Sequence, residues 1–264
     1  MKKIIVLSVI LFLGFIIFFK SQEQPDKKYQ DLRQKIIFEF GDKQPLEWAE
    51  VVPGVKTRID TDKNIIALTL DACGSEGDGY DAALVDYLVK NKIPATLFIN
   101  ARWIDKNPDI FKQLAGNPLF EIENHGFQHK PCSVSGKSIY GIQGTKNVGE
   151  VVDEIEKNGR KIQALTGRRP KYYRSGTAYY DEVGVKIAER LGCEVVGFSV
   201  LGDRGATYSR TQVKNALLSA SAGSIIICHM NHPEKETAEG LIEAIPELKK
   251  KGFRFVKLSD YGLK

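Results

Sequence analysis

The chain has 264 residues, 42% of them apolar and 27% charged, which is enough to bury a sizeable core and rules out a disordered tail or a collagen-like array. Its formal charge of +5 includes Lys2, Lys3 and Lys20 from a stretch of 20 residues without an acid. The remainder shows no basic block or aromatic ladder, so it offers no footprint for nucleic acid as a partner.

Behind Lys2-Lys3, the 16 residues Ile4 to Phe19 are uncharged and almost all strongly apolar. Such a run is a secretion signal or a membrane anchor. Its far end, Ile16-Ile17-Phe18-Phe19-Lys20, lacks the small residues of a cleavage site, which favours an uncleaved anchor. At 1.5 Å per residue the run spans about 24 Å, short of a hydrocarbon core of roughly 30 Å, so thinning or lysine snorkelling has to help. A cytoplasmic N-terminus puts the rest of the protein outside. The expected organisation is an anchor or signal over 1–20, a charged stalk over 21–62 with a short helix near Tyr29 to Phe38, and one domain over 63–264.

Within that domain, apolar runs alternate with amphipathic stretches. Ile65 to Leu70 precedes a helix near Asp81 to Asn91, Ala95 to Asn100 precedes a helix opened by Asn107-Pro108, and Leu119 to Glu123 precedes a long helix near Val148 to Leu165. Lys171 to Arg174 leads to Glu182 to Leu191, stopped at Gly192; Glu194 to Val200 leads to Thr211 to Ser221; Ser224 to Cys228 leads to Glu239 to Lys251. Phe253 to Lys257 makes a seventh strand. Strands with intervening helices predict an α/β fold with a parallel sheet, either doubly wound or closed. Asp71-Ala72-Cys73-Gly74 after the first strand is no phosphate loop, and a barrel one strand short of eight is the preferred reading.

A barrel gathers its chemistry at the C-terminal ends of its strands. Asp71, Asn124-His125, Arg174, Asp203 and His229 all fall there, and the four histidines lie in two clusters, His125 with His129 and His229 with His232. The four-residue spacing of His125 and His129 suits a metal if the segment is a helical turn; the alternative is two capping histidines. Asp71 ends an apolar strand and needs a partner, for which Arg174 is the natural candidate, whether as a structural ion pair or as part of a site. His229 is either a satisfied core imidazole or a general acid tuned by Asp203. Four cysteines are too few for a disulfide scaffold; Cys73 and Cys132 are the pair to test for a bridge, and Cys193 and Cys228 read as buried thiols.

From about Lys63 to Asp260 the chain resembles the NodB-homology polysaccharide deacetylases, carbohydrate esterase family four. Thr69-Leu70-Asp71 resembles the opening of the family's T-F-D-D-G motif, Asn124-His125-Gly126-Phe127-Gln128-His129 its N-H-[ST]-x-x-H motif, and Tyr173-Arg174-Ser175-Gly176 its R-P-P-Y motif. Gly223 to His229 is similar to the family's final strand and catalytic histidine, and Gly252 to Ser259 to its closing segment. The resemblance implies a distorted (β/α)7 TIM-like barrel that removes N-acetyl groups from an N-acetylhexosamine polymer. It implies Asp71 as base, Arg174 as its orienting partner, His229 as acid tuned by Asp203, and His125 and His129 as ligands of a divalent metal, zinc above all.

Ala72 stands where the family has a second, metal-binding Asp. Either Asp71 itself ligates, or Glu76, Asp78 or Asp81 swings in, or Cys73 does, or the site is empty; Asp71, His125 and His129 are the ligand set carried forward. Tyr179, Tyr180, Phe127, Trp103 and Tyr208 are available for stacking on sugars or for ordinary packing. The expected substrate is peptidoglycan or another N-acetylglucosamine polymer, met by a membrane-tethered domain outside the cell. Two rival readings are an inactive tethered glycan-binding module, for which Ala72 argues, and an amidohydrolase for a small non-sugar amide.

Overall fold

Strand β1 (Ile65–Ala72) is the spine of the fold: all eight residues are buried, and it pairs with three other strands. The structure is a computed structural model that describes residues 27–264. Before β1 comes helix α1, residues 27–40. After it follow α2 (Ala82–Lys90), β2 (Ala95–Ile99), α3 (Ala101–Lys106), α4 (Pro108–Gly116), β3 (Phe120–Asn124), β4 (Ser138–Ile139), β5 (Ile142–Gln143) and α5 (Val148–Thr166). The chain continues with β6 (Tyr172–Tyr173), α6 (Glu182–Arg190), β7 (Glu194–Val195), β8 (Val200–Leu201), α7 (Arg210–Leu218), β9 (Ile225–His229), α8 (Thr237–Lys250) and β10 (Arg254–Val256).

The main sheet is parallel throughout and ordered β7-β6-β3-β2-β1-β9-β8, with β10 paired to the first half of β1. Its two edge strands, β7 and β8, are consecutive in the chain. The strip therefore curls into a distorted (β/α)7 barrel whose seam residues 196–199 cross. Helix starts follow side-chain capping: Asp81 accepts from Leu84 N–H, Asn147 from Glu150 N–H and Asp181 from Gly184 N–H, each removing one orphan donor. The helices cover one face of the sheet, where Ile66, Leu68, Leu70 and Ala72 of β1 pack against Leu84, Leu88, Leu241 and Ile245.

Two strands differ from the sequence reading. The run Glu194 to Val200 is two short strands, because the chain must leave β6 and join β9 on the other side of the seam. Phe253 to Lys257 is no stave of its own: β10 takes Ile65 to Ala67 of β1 and leaves Thr69 to Ala72 to β2.

The stalk expected over 21–62 is, from residue 27 on, part of the globule. Tyr29 and Ile36 of α1 bury against Val148, Val151, Val152 and Ile155 of α5, following an i, i+7 stripe that charged neighbours obscure in the sequence. Lys56 N–H donates to Val195 O at 2.8 Å and Lys56 O accepts from Gly197 N–H at 2.9 Å, so this segment fills the seam. The apolar run 4–19 lies outside the described residues. Among the described residues no helix is long and apolar enough to cross a membrane.

Candidate active site

Side chains alternate along β1, so Thr69 and Asp71 turn to the side opposite Leu68, Leu70 and Ala72. Ala72, where the family carries a carboxylate, belongs to the helix-facing core. Cys73 follows on the Asp71 side, and Gly74 at φ 78° then turns the chain flush against the backbone of Trp103, where no Cβ fits.

Arg174 is fully buried at the end of β6 and spends its guanidinium on four bonds. Nη1 donates to Asp71 Oδ1 at 2.7 Å and to Thr69 Oγ1 at 2.8 Å, while Nε and Nη2 donate to the seam carbonyls of Val196 at 3.1 Å and Gly197 at 2.8 Å. The Phe98 ring lies beneath it, 4.2 Å from the guanidinium carbon. A buried carboxylate held this way is charge-paired and oriented, with Oδ2 free to act.

The segment His125 to His129 is a loop, and the helical turn expected there is absent. Gly126 takes φ 78° and His129 φ 63°, which brings the two rings to 4.9 Å between centroids, near perpendicular. A residue unnoticed in the sequence builds this loop: Glu154 of α5 is buried and accepts from Gln128 N–H at 2.9 Å and from Lys130 N–H at 3.0 Å. Gly126 lies so close to that carboxylate that a Cβ would strike it. Asn124 and Asn100 complete the frame, Asn124 Oδ1 accepting from Gly126 N–H and Asn100 Nδ2 donating to His125 O and Gly126 O. The available signal was the position of Glu154, nearly two turns into α5 on its buried side.

His125 Nδ1 donates to Arg174 O at 3.0 Å, since a carbonyl only accepts. Its Nε2 therefore presents a lone pair, 3.6 Å from Asp71 Oδ2 and 3.8 Å from Cys73 Sγ. Burial lowers the pKa of His125, and burial with the neighbouring His125 lowers that of His129 further, so both rings are neutral. His129 Nε2 is buried without a hydrogen-bond partner.

Across the mouth, His229 ends β9 and its Nδ1 donates to Asp203 Oδ1 at 2.9 Å; Asp203 Oδ2 accepts from His229 N–H at 2.7 Å and from Thr237 Oγ1 at 3.1 Å. Burial alone would depress this imidazole's pKa, but the Asp203 carboxylate outweighs it and raises the value well above the ordinary histidine range. His232 stands apart, 3.6 Å from Asp78 and 3.1 Å from Glu234.

The structure thus brings Asp71, Arg174, His125, His129, His229 and Asp203 to one end of the barrel. Asp71 is committed to Arg174 and is not one of the three donors that cluster most closely. Those are Cys73, His125 and His129, whose ligating atoms all lie within 4.8 Å of one another, a trio able to hold a divalent cation. Cys73 and Cys132 do not bridge; all four cysteines are free and buried. Of the aromatics considered for sugar stacking, Trp103 and Tyr180 are fully buried core residues, and Phe127 and Tyr208 are only partly exposed. Tyr179 instead joins Trp48 and Tyr140, at 5.4 and 6.1 Å between centroids.

Comparison with known proteins identifies the family and the fold. The chain is 26% identical over 209 residues to the peptidoglycan-N-acetylmuramic acid deacetylase of Bacillus subtilis, covering 76% of this chain and 72% of the relative. It is 26% identical over 210 residues to a peptidoglycan-N-acetylglucosamine deacetylase of Bacillus cereus, covering 78% and 92%. In fold it matches a CE4 family pseudoenzyme from Bacillus anthracis with a TM-score of 0.65 at 22% identity, over 80% of this chain and 69% of the other. The polysaccharide deacetylase family model matches residues 58–196, just over half of the chain, and the protein belongs to that family.

Proposed function

We propose that this protein hydrolyses the N-acetyl group of N-acetylhexosamine residues in cell-wall glycan, releasing acetate and leaving a free amine on the sugar. The observation that carries this reading is the convergence at one barrel mouth of an oriented carboxylate, an imidazole paired to a second carboxylate, and a cluster of neutral donors. The two peptidoglycan deacetylases named above support the choice of polymer.

Asp71 Oδ2 takes the proton of the attacking water, its other oxygen being held by Arg174. His229, kept protonated by Asp203, gives a proton to the amide nitrogen as the C–N bond breaks. Each positioned acid or base contributes about 10²- to 10⁴-fold. His125 and His129 would hold a divalent cation, zinc by donor chemistry, which when bound would polarise the acetyl carbonyl and lower the pKa of water. The partly exposed Tyr179, flanked by Trp48 and Tyr140, offers a face for neighbouring sugar rings. The charged start and the apolar run 4–19 support an outward-facing domain tethered to the membrane.

The test is acetate release from N-acetylglucosamine oligomers and from peptidoglycan, with and without a chelator. Release that the chelator suppresses and that His125→Ala abolishes is expected. No acetate from either polymer under metal-replete conditions overturns the reading and favours the glycan-binding module that Ala72 suggests.

A further inference from the structure

We propose that Cys73 is the third protein ligand of the metal site, a thiolate doing the work that the second Asp of the motif does elsewhere in the family. The inference rests on the metal-dependent reading above and goes beyond it in naming the ligand and its consequence.

Ala72 cannot serve, because it has no donor atom and packs in the helix-facing core. Cys73 lies on the side of Asp71, fixed there by the tight turn at Gly74. Its Sγ is 3.8 Å from His125 Nε2. A tetrahedral zinc with bonds of about 2.3 Å to sulfur and about 2.1 Å to nitrogen separates the two donors by about 3.6 Å. The third corner is His129, whose Nε2 is buried with no hydrogen-bond partner. A buried unpaired polar atom costs about 1–3 kcal/mol, and a cation at the centre of the trio removes that cost.

Of the rival donors, Asp71 is held by Arg174 through Oδ1 and keeps Oδ2, 3.6 Å from His125 Nε2, for the base role, and Asp78 is 3.6 Å from His232. Among the described residues, Cys73, His125 and His129 form the one group of three such donors whose atoms gather within 4.8 Å.

A thiolate carries the same charge as the carboxylate it replaces, so the net charge of the ligand set is unchanged. It is softer, which shifts preference towards zinc, cobalt and cadmium and away from magnesium, manganese and calcium. Two imidazoles and one thiolate leave a coordination position open, as catalytic sites require. Asp71 then remains free to act as a base.

The test uses the full-length protein, stripped of metal and titrated with Co²⁺ in the absence of substrate. One equivalent is expected to bind with a near-ultraviolet thiolate-to-cobalt charge-transfer band. Cys73→Ser should lose the band and weaken Co²⁺ binding by more than the roughly 10- to 100-fold that loss of an outer-shell partner costs. Cys73→Asp should regain affinity without the band, which separates ligand loss from misfolding. One bound equivalent without the band in the unaltered protein, or an unchanged band in Cys73→Ser, overturns the proposal. Acetate release without the band defeats the thiolate ligand alone, and the band without acetate release defeats the deacetylase reading alone.

Discussion

The barrel interior has two halves built from the same strands, and they obey opposite rules. At the N-terminal end Ile65, Ala67, Phe98, Tyr172, Val196 and Ile225 form a dry layer closed by Ile59 and Leu258. At the C-terminal end the same side of β1 carries Thr69 and Asp71, and its neighbours supply Arg174, His125 and His229. In the lower layer any apolar side chain of the right volume contributes about 1.5–3 kcal/mol by burial. In the upper layer each polar group is tolerable only with a specific partner, so its position is determined by hydrogen bonds. Phe98 marks the boundary, packed in the lower layer and stacked beneath Arg174.

That contrast can be broken from either side. Asp203→Asn should cost about 10²-fold or more in rate with little loss of fold, measured as acetate release at saturating glycan. It also carries a pH signature. In the unaltered protein His229 has a raised pKa, so activity persists through neutral pH and falls as pH rises through that value. Without the Asp203 charge, the largest opposition to burial is gone and the alkaline limb should move to lower pH.

Ile225→Ala, in the lower layer, should do the reverse. A stability loss of about 3 kcal/mol is expected in denaturant melts, with kcat of the folded fraction unchanged. A smaller effect is expected from Glu154→Gln, which removes the charge that both loop N–H groups address. Acetate release should fall about tenfold, while the melting midpoint shifts by an amount worth about 1–2 kcal/mol.

The smallest effect concerns α1. Burial raises the Asp153 pKa, but the Tyr29 hydroxyl and Arg33 outweigh it, leaving the carboxylate lowered. Its contribution is therefore present above the ordinary Asp value of about 3.9 and is lost as pH falls through the lowered one. Both Arg33 and Asp153 side chains are about a quarter exposed, at 25% and 26%, so the gain is under about 1 kcal/mol. Hydrogen exchange in α1 should accelerate at acid pH in the unaltered protein and lose that dependence in Asp153→Asn.

Much of this was legible in the sequence because it depends on periodicity. The apolar runs marked β1, β2, β3 and β9, Asn107-Pro108 marked the start of α4, and Gly192 marked the stop after α6. What escaped depends on long-range pairing. The break between β7 and β8 comes from a change of partner strand, and the docking of residues 27–62 from a surface that only the folded barrel provides. The short α3 and the hairpin β4–β5, with two residues in each strand, are too brief for any period to show. At the mouth, the residue types and the pairings of Asp71 with Arg174 and of His229 with Asp203 were readable, and the conformation of the histidine loop was not. The His125–His129 spacing suggested a helical turn, whereas Gly126 and Glu154 make a loop. The alternation that turns Ala72 away and Cys73 inward could have been read from β1 itself, since residues 69, 71 and 73 share one side of a strand.

The division of labour at the mouth, with Asp71 as base and not as ligand, is tested most directly by Asp71→Asn, measuring bound metal and acetate release on the same preparation. Metal near one equivalent with acetate release reduced by about 10²-fold or more is the predicted result. Loss of metal together with activity would instead make Asp71 the ligand, and undiminished acetate release would remove it from the chemistry altogether.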